Sequence, residues 1–521
     1  MDIASLFPLF SPETGAGILV VYGLFAFAMT YWYSRGYDDN KTSFLVARRE
    51  LNTFQGSLSV AAAWLWAPGL FISTQQAYVN GLVGLFWFCL GNFLTLGAFA
   101  YFAKKIRTES PKGFTFSGYL RKRFSPRLQW LFVVEMMILA TCAFAINLLA
   151  GSKTVTTLTG IDYTLATFLM AGVAILYSFR TGLKATVITE VIKIIVVWAG
   201  VIILVPWAIS EAGGWSTVVA GLGGRTGLGA SILGTPFAWG IFTGFGAAAF
   251  LGHMGGPWGD NSFYQRAFSI KKDSIIPSYV IASFVFIVVP IMMGLLGFVA
   301  AGAGLEIPKS MVGVTNAITI GTFLPPVATI IFVFMVFAGL VAILDSQFAS
   351  VANMTGHDLF NQFKKGTNNK DIITYARLGM IALAIAGLLI ANIPGMQLVW
   401  LFLFFAVLRA AVWLPSMISL LKPKWVTEPG MFWGIILAAV PGEALFVWGK
   451  MFGGGSYIVF AGTLVAILGA PILTLMISNP KTTFRPSAMT KCHEFFREKN
   501  VNSCRTTRVR QSYMGQNIWL T

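Results

Sequence analysis

Long apolar runs separated by short polar segments make up most of the chain. A membrane-spanning helix needs about 20 apolar residues, and only a helix satisfies its own backbone hydrogen bonds in lipid. Thirteen runs meet this requirement, at 15–34, 54–78, 80–103, 127–150, 162–179, 184–208, 235–257, 276–303, 324–357, 374–393, 395–421, 430–449 and 456–478. Two pairs of runs are divided only by short turns, at 78–81 and 392–395, and merging either pair lowers the count. The pattern predicts an all-α integral membrane protein with about 13 transmembrane helices.

Composition agrees with this class and excludes several others. Of the 521 residues, 56% are hydrophobic and 11% are charged, whereas soluble proteins carry roughly 25% charged residues. The net charge of +17 does not indicate a nucleic-acid partner, because the basic residues are scattered between apolar runs and do not cluster on one solvated domain. Four cysteines and three histidines show no metal-ligand or disulfide spacing, and no catalytic motif is present. We expect no enzymatic activity and no cofactor apart from a coupling ion, and the oligomeric state stays open.

The basic residues also predict an orientation. Lys and Arg are enriched in short cytoplasmic loops. With thirteen spans and the N-terminus outside, most of the 37 basic residues fall on the cytoplasmic side, including a block at 104–127 and the tail from about 480 onward. We therefore expect a multi-pass protein of the cell membrane with a cytoplasmic C-terminus.

Ionisable residues inside apolar runs are candidates for function, because a charge in lipid costs roughly 2.5–3.5 kcal/mol at a helix centre on insertion scales. The candidates are Glu135, Glu190, Lys193, Asp345, Arg409 and Glu443. A structural ion pair or a position near a helix end is the favoured interpretation for Lys193, Arg409 and Glu443. Asp345 is the clearest functional signal, because polar residues follow it directly in a long apolar run. If Asp345 and Glu190 meet, they share either a bound cation or a proton, since two like charges cannot both stay ionised in a low dielectric.

Two runs carry motifs that break helices at membrane depth. These are Trp64-Leu65-Trp66-Ala67-Pro68-Gly69 and the Gly- and Pro-containing stretch from Gly252 to Asp260. A break frees backbone carbonyl and N–H groups, which bind ions and solutes in transporters. A proline kink explains one such motif; two of them, five spans apart, favour a binding site. His253, in the second motif, is either an interior imidazole or a solute contact.

Three stretches resemble the sodium:solute symporter family over about residues 15–478. They are TGLKATVITEVIK at 181–193, WGDNSFYQRAF at 258–268 and DSQFASVANMTGHDLF at 345–360. Within that family, the second and third spans are most similar to the urea symporters. The resemblance implies an inverted-repeat core of five plus five helices at 54–421, an extra helix and loop at 1–53, two additional helices at 422–480 and a polar basic tail at 481–521.

The resemblance also implies ion and solute sites. The family's shared sodium site falls on the carbonyls of Ala62 and Leu65 and on two hydroxyl positions, which here hold Ala342 and Ile343, so ordinary sodium binding there is in doubt. A second ion site falls on Glu190, Asp345 and Ser346, where either sodium or a proton fits the acidic composition. Solute contacts are expected from the two broken helices, at Trp66, Gly69, His253, Pro257 and Trp258. Sugar-transporting members have polar contacts at positions that here hold Pro68 and Gly69, so a sugar-type site is not supported.

The sequence therefore predicts cation-coupled symport of a small solute, with urea-like compounds favoured. An uncoupled facilitator or channel is the alternative, motivated by the missing hydroxyls at Ala342 and Ile343.

Overall fold

A computed structural model describes residues 6–34, 45–178, 183–360 and 369–478. The predicted tail at 481–521 and the first residues of the motif at 181–193 lie outside the described residues. Within these ranges the protein is helical, with a single isolated β-bridge between Leu51 and Ile270.

The described residues form nineteen α-helices. In chain order they are α1 Pro12–Ser34, α2 Thr53–Trp64, α3 Ser73–Glu109, α4 Phe116–Arg123, α5 Pro126–Thr159, α6 Tyr163–Ser178, α7 Leu183–Glu211, α8 Trp215–Ala220, α9 Pro236–Ile241, α10 Ala247–Met254, α11 Asn261–Ser269, α12 Ile275–Gly302, α13 Thr315–Phe323, α14 Pro326–Asn353, α15 Asn369–Ala391, α16 Leu398–Ala411, α17 Trp413–Leu421, α18 Glu428–Met451 and α19 Ser456–Ile477. Short π-helical turns lie at Pro68–Ile72, Phe242–Gly246 and Met354–Leu359.

Local signals explain several helix ends. Asn52 caps α2, where its Oδ1 accepts a hydrogen bond from the Gln55 amide at 2.9 Å. Ser125 caps α5, and Pro126 fits the first helical position because its missing N–H would have no intrahelical partner there. At the other end of α5, Gly160 adopts a left-handed conformation with φ of 70°, which glycine tolerates without strain.

In the described part of the chain, eleven helical segments are long and apolar enough to cross a membrane. Two shorter apolar helices, Tyr163–Leu176 and Val312–Phe323, lie between them. Large apolar side chains such as Leu24, Phe284 and Val440 are exposed on the outer surface, as expected where the solvent is lipid. The protein is thus an all-helical, multi-pass membrane protein.

The longest apolar segment, Pro68–Glu109, contains a sharp kink at Gly81. The φ of Gly81 is 69°, and a Cβ atom there would lie 2.6 Å from the carbonyl oxygen of Leu222. The neighbouring Leu82 N–H donates to that same carbonyl at 2.9 Å. Only glycine meets both demands, so the kink forms where the sequence predicts a turn between the second and third spans.

The interior of the bundle lies along two long helices. One, α12, packs along α2 and α3, and the other, α14, packs along α5 and α7. A third helix, α16, packs against α10. These contacts bring the two predicted helix breaks and the predicted ionisable residues into the protein interior.

Candidate functional site

The first helix break lies between α2 and the turn at Pro68. Pro68 lacks an N–H group, and its ring would clash with the carbonyl four residues earlier in a continuous helix. Leu65 therefore adopts an extended conformation, with φ of −85° and ψ of 93°, and its N–H contacts the carbonyls of Ala61 and Ala62. The freed N–H of Ala67 donates to Asn147 Oδ1 of α5 at 3.0 Å. The break is thus a hydrogen-bonded structure built into the core.

The second break separates α10 from α11. A short 3₁₀ turn, Gly256–Trp258, joins the two helices, and Asp260 caps α11 through its Oδ1 atom, which accepts from the Ser262 amide at 2.8 Å. Glycines allow this break to pack tightly on α16. A Cβ atom on Gly255 would lie 2.4 Å from the Cα atom of Ala410, which no side chain allows.

A polar relay connects the two breaks. The indole N–H of Trp64 donates to Asn92 Oδ1 at 2.9 Å, and Asn92 Nδ2 lies 3.0 Å from His253 Nε2. Trp66 and His253 both contact the ring of Phe402, with ring centroids 5.9 and 5.4 Å away. Two of the predicted solute contacts, Trp66 and His253, therefore share one aromatic environment.

The other predicted solute contacts lie farther along each break. Gly69 lies beside the ring of Phe286, from which a Cβ atom would be 3.4 Å away. Trp258, next to the buried Pro257, packs its ring on Phe99 at 5.2 Å between centroids, and its carbonyl accepts a hydrogen bond from the Tyr264 hydroxyl at 3.0 Å. All three predicted residues are buried.

Glu190 lies in a four-helix polar cluster. Ser59 of α2 and Ser346 of α14 each donate a hydrogen bond to its carboxylate at 2.6 Å. Arg266 of α11 forms an ion pair with the same carboxylate and also donates to Ser59 Oγ at 3.0 Å and to Ser346 Oγ at 2.8 Å. The structure thus brings Glu190 and Ser346 into direct contact and adds an arginine that binds both of them.

Asp345 has a basic partner of its own. Its Oδ2 atom forms an ion pair with the Nζ atom of Lys193, and both side chains are almost completely buried. Adjacent residues on an α-helix point about 100° apart. Asp345 and Ser346 accordingly meet different partners on α7, Lys193 and Glu190 respectively.

Sequence reasoning missed two members of these clusters, Ser59 and Arg266. Each lies far from Glu190 in sequence, and only the packing of the breaks brings them to it. A signal was available for Lys193, because residues three apart on a helix share a face. Lys193 therefore had to approach the same region of α14 as Glu190.

A cavity of about 440 Å³ lies among α3, α5 and the turn between α15 and α16. Its wall includes Leu149 and Ala150, which follow Asn147 on α5. It also includes the turn between α15 and α16, where the sequence predicts a short turn, and two lysines, Lys153 and Lys309.

Known proteins resemble this chain in sequence and in fold. Residues 44–438 match the sodium:solute symporter family. A probable urea active transporter from Schizosaccharomyces pombe is 23% identical, with 90% of this chain and 77% of that protein covered. A urea–proton symporter from Oryza sativa subsp. japonica is 22% identical, with 84% of this chain and 66% of that protein covered.

A solved structure of a Na⁺-coupled sialic acid symporter, in a substrate-bound outward-open state, aligns with a TM-score of 0.70 at 15% identity and covers 89% of this chain and 98% of its own. These relatives are transporters and not enzymes, as the sequence predicts. The match over most of the chain shows that it belongs to the sodium:solute symporter family.

Proposed function

We propose that the protein is a secondary active transporter that couples the movement of a small solute to a proton. Family membership supports cation-coupled symport, and the paired helix breaks supply the interrupted backbone at which transporters bind solutes and ions. The choice of a proton over sodium rests on the ion pairs around Glu190 and Asp345.

The observation that carries this choice is the contact between Lys193 Nζ and Asp345 Oδ2. The family resemblance assigns Asp345 to a cation site, and an ammonium group already lies against its carboxylate. This ammonium supplies the positive charge that sodium would bring, but it is tethered to the chain and cannot leave with the solute. Lysine changes its charge by releasing a proton, while the electron pair stays on Nζ. A proton is therefore the cation that this pair can exchange in each transport cycle.

The neighbouring cluster supports the same conclusion. A sodium ion at Glu190 would have to displace Arg266, whose guanidinium stays charged at any physiological pH and donates to both serines of the cluster. We assign Glu190 and Ser346 to a structural polar cluster that connects helices, next to the pair of Lys193 and Asp345. Ala62 and Leu65 follow Ser59 on the same broken helix, three and six residues further along the chain.

We also propose the topology that the sequence predicts. Two additions raise the eleven long segments to thirteen crossings. The shorter helix α6 crosses the membrane, and the kink at Gly81 divides Pro68–Glu109 into two crossing arms. The core of five plus five helices then spans 54–421, with the N-terminus outside and the C-terminus in the cytoplasm. The break in α2 and the break after α10 would each lie in the first helix of one repeat.

For the solute, the urea transporters among the relatives make urea the first candidate. Trp66, Gly69, His253, Pro257 and Trp258 are the proposed contacts. Their buried aromatic rings suit a small planar molecule, and the relay from Trp64 to His253 offers polar groups for its hydrogen bonds.

Uptake into proteoliposomes tests this proposal. Labelled urea is offered with an inward proton gradient, with an inward sodium gradient at equal pH, or with neither. We expect accumulation above the external concentration only with the proton gradient, and its loss on addition of a protonophore. Accumulation driven by sodium alone would contradict proton coupling. Equal downhill flux under all three conditions would indicate an uncoupled facilitator, for which the buried Ala342 and Ile343 at the family's hydroxyl positions are the structural basis.

A further inference from the structure

Arg409 is a buried cation that lies between the two helix breaks. It belongs to α16, and its side chain is almost completely buried. Its Nε atom donates to the carbonyl of Gly252 at 2.9 Å, in the last turn of α10, where carbonyl groups have no intrahelical partner. The second break thus fixes one edge of the guanidinium.

The face of the guanidinium lies against the aromatic residues of the first break. Its central carbon is 5.2 Å from the ring centre of Trp64, 5.7 Å from that of Trp66 and 4.6 Å from that of Phe405. Gly256 leaves room for this arrangement, because a Cβ atom there would lie 2.1 Å from the Trp64 ring and 3.2 Å from Arg409 Nη1. Both breaks therefore contact the same cationic group.

One nitrogen of this group has no hydrogen-bond partner in the part of the chain that the structure describes. Among the described residues, Arg409 Nη2 is buried and makes no hydrogen bond, and no carboxylate lies within 4 Å of the guanidinium. A buried charged donor without an acceptor is costly, so native proteins rarely keep one without a function.

Two acidic side chains lie near Arg409 without pairing with it. Asp260 accepts from the Ser262 amide at 2.8 Å and from Gln347 at 3.2 Å. Glu135 lies beside Gly259, where a Cβ atom would be 2.6 Å from its Oε1 atom and 2.9 Å from the Cβ atom of Arg409, but it forms no ion pair with the guanidinium among the described residues. The free donor of Arg409 thus remains available to a ligand.

We infer that Arg409 anchors the transported solute by donating from Nη2 to an oxygen on a planar carbon of the solute. The carbonyl oxygen of urea and the oxygens of a small carboxylate both have this chemistry, and either group is planar, as suits the aromatic rings of Trp64, Trp66 and Phe405 around the guanidinium. The inference rests on the proposed function as a symporter, and it adds a residue and a solute chemistry that the interrupted helices alone do not specify.

Equilibrium binding to the purified protein at one pH, without any gradient, tests the inference. The probes are labelled urea and labelled acetate, and the variants are Arg409→Gln and Arg409→Lys. A charge-assisted hydrogen bond contributes enough to the binding free energy that Arg409→Gln should weaken binding at least tenfold for whichever probe the unaltered protein binds. Arg409→Lys should recover much of the affinity for acetate, since it keeps the charge, but little for urea, which depends on the planar donor geometry.

Two control variants make the result specific. Arg127→Gln removes another arginine that lies over an aromatic ring, 3.8 Å from the centre of Phe432, and should leave binding unchanged. Glu135→Gln should also leave it unchanged; a loss equal to that of Arg409→Gln would instead make the two residues a gating ion pair and overturn the inference. Unchanged affinity in both Arg409 variants, or no binding of either probe to the unaltered protein, would overturn it as well. Because no gradient is imposed, a failure of proton coupling leaves this binding assay unaffected.

Discussion

Removing Lys193 should expose what its ion pair contributes. In Lys193→Met the carboxylate of Asp345 stays buried without its ammonium partner, and in Asp345→Asn the ammonium stays buried without its carboxylate. Breaking a buried pair from one side typically costs about 3–5 kcal/mol, because an uncompensated charge remains in the interior. Each single variant should therefore lower the free energy of unfolding by that amount.

The double variant, Lys193→Met with Asp345→Asn, removes both charges and should recover most of the lost stability. Replacing a whole buried pair is often neutral, because the desolvation of two ions then disappears together with their attraction. The double-mutant cycle measures the interaction energy between Lys193 and Asp345, which are in direct contact. A matched control is Lys105→Met, which breaks the partly exposed pair with Glu109 at 3.4 Å and should cost only about 0.3–0.5 kcal/mol.

Transport by the same double variant decides the role of the pair. If Lys193 carries the coupled proton, the double variant should move solute downhill but should not accumulate it when a proton gradient is imposed. Stability is followed by denaturation in mixed detergent, and coupling by uptake into proteoliposomes at fixed external pH. A stable double variant that still accumulates solute with the pH gradient would refute the assignment and leave the pair a purely structural one.

Two further predictions concern the solute site and the Glu190 cluster. Trp66→Ala and His253→Ala should each weaken solute binding while the protein stays folded, whereas Trp448→Ala, which removes an exposed indole, should not; equal affinity in all three variants would place the solute elsewhere. Glu190→Gln should lower stability by about 3–5 kcal/mol, because a buried arginine loses its carboxylate. Any folded fraction should still respond to the proton gradient, and a switch to sodium dependence would show that Glu190 is part of the ion site.

The sequence predicted the parts of this architecture that depend on local chemistry. Apolar runs of sufficient length identified the membrane-spanning class, and Pro68 and Pro257 located the two breaks, since proline interrupts a helix wherever it falls. The kink at Gly81 was predicted as a turn for the same kind of local reason. The helix Thr315–Phe323 was not predicted, because nine residues are too few to give a span-length signal.

The pairing of the charges could not be predicted in the same way. Ser59, Glu190, Arg266 and Ser346 come from four helices, and their meeting depends on how the second break redirects the chain into α11. The sequence showed two carboxylates at membrane depth and led to the expectation of a shared ion. It did not show that a basic residue would reach each of them.

The two ion pairs differ in a way that bears on coupling. In the Glu190 cluster, the arginine and the glutamate bind two serines as well as each other, so this pair makes several hydrogen bonds. Asp345 instead meets a lysine, a residue type that, unlike arginine, is able to give up a proton. Two neighbouring positions on α14 thus face a lysine and an arginine on the helices around them. Under the proposed proton coupling, Arg266 keeps its part of the core fixed, and Lys193 is the residue whose charge changes during the cycle.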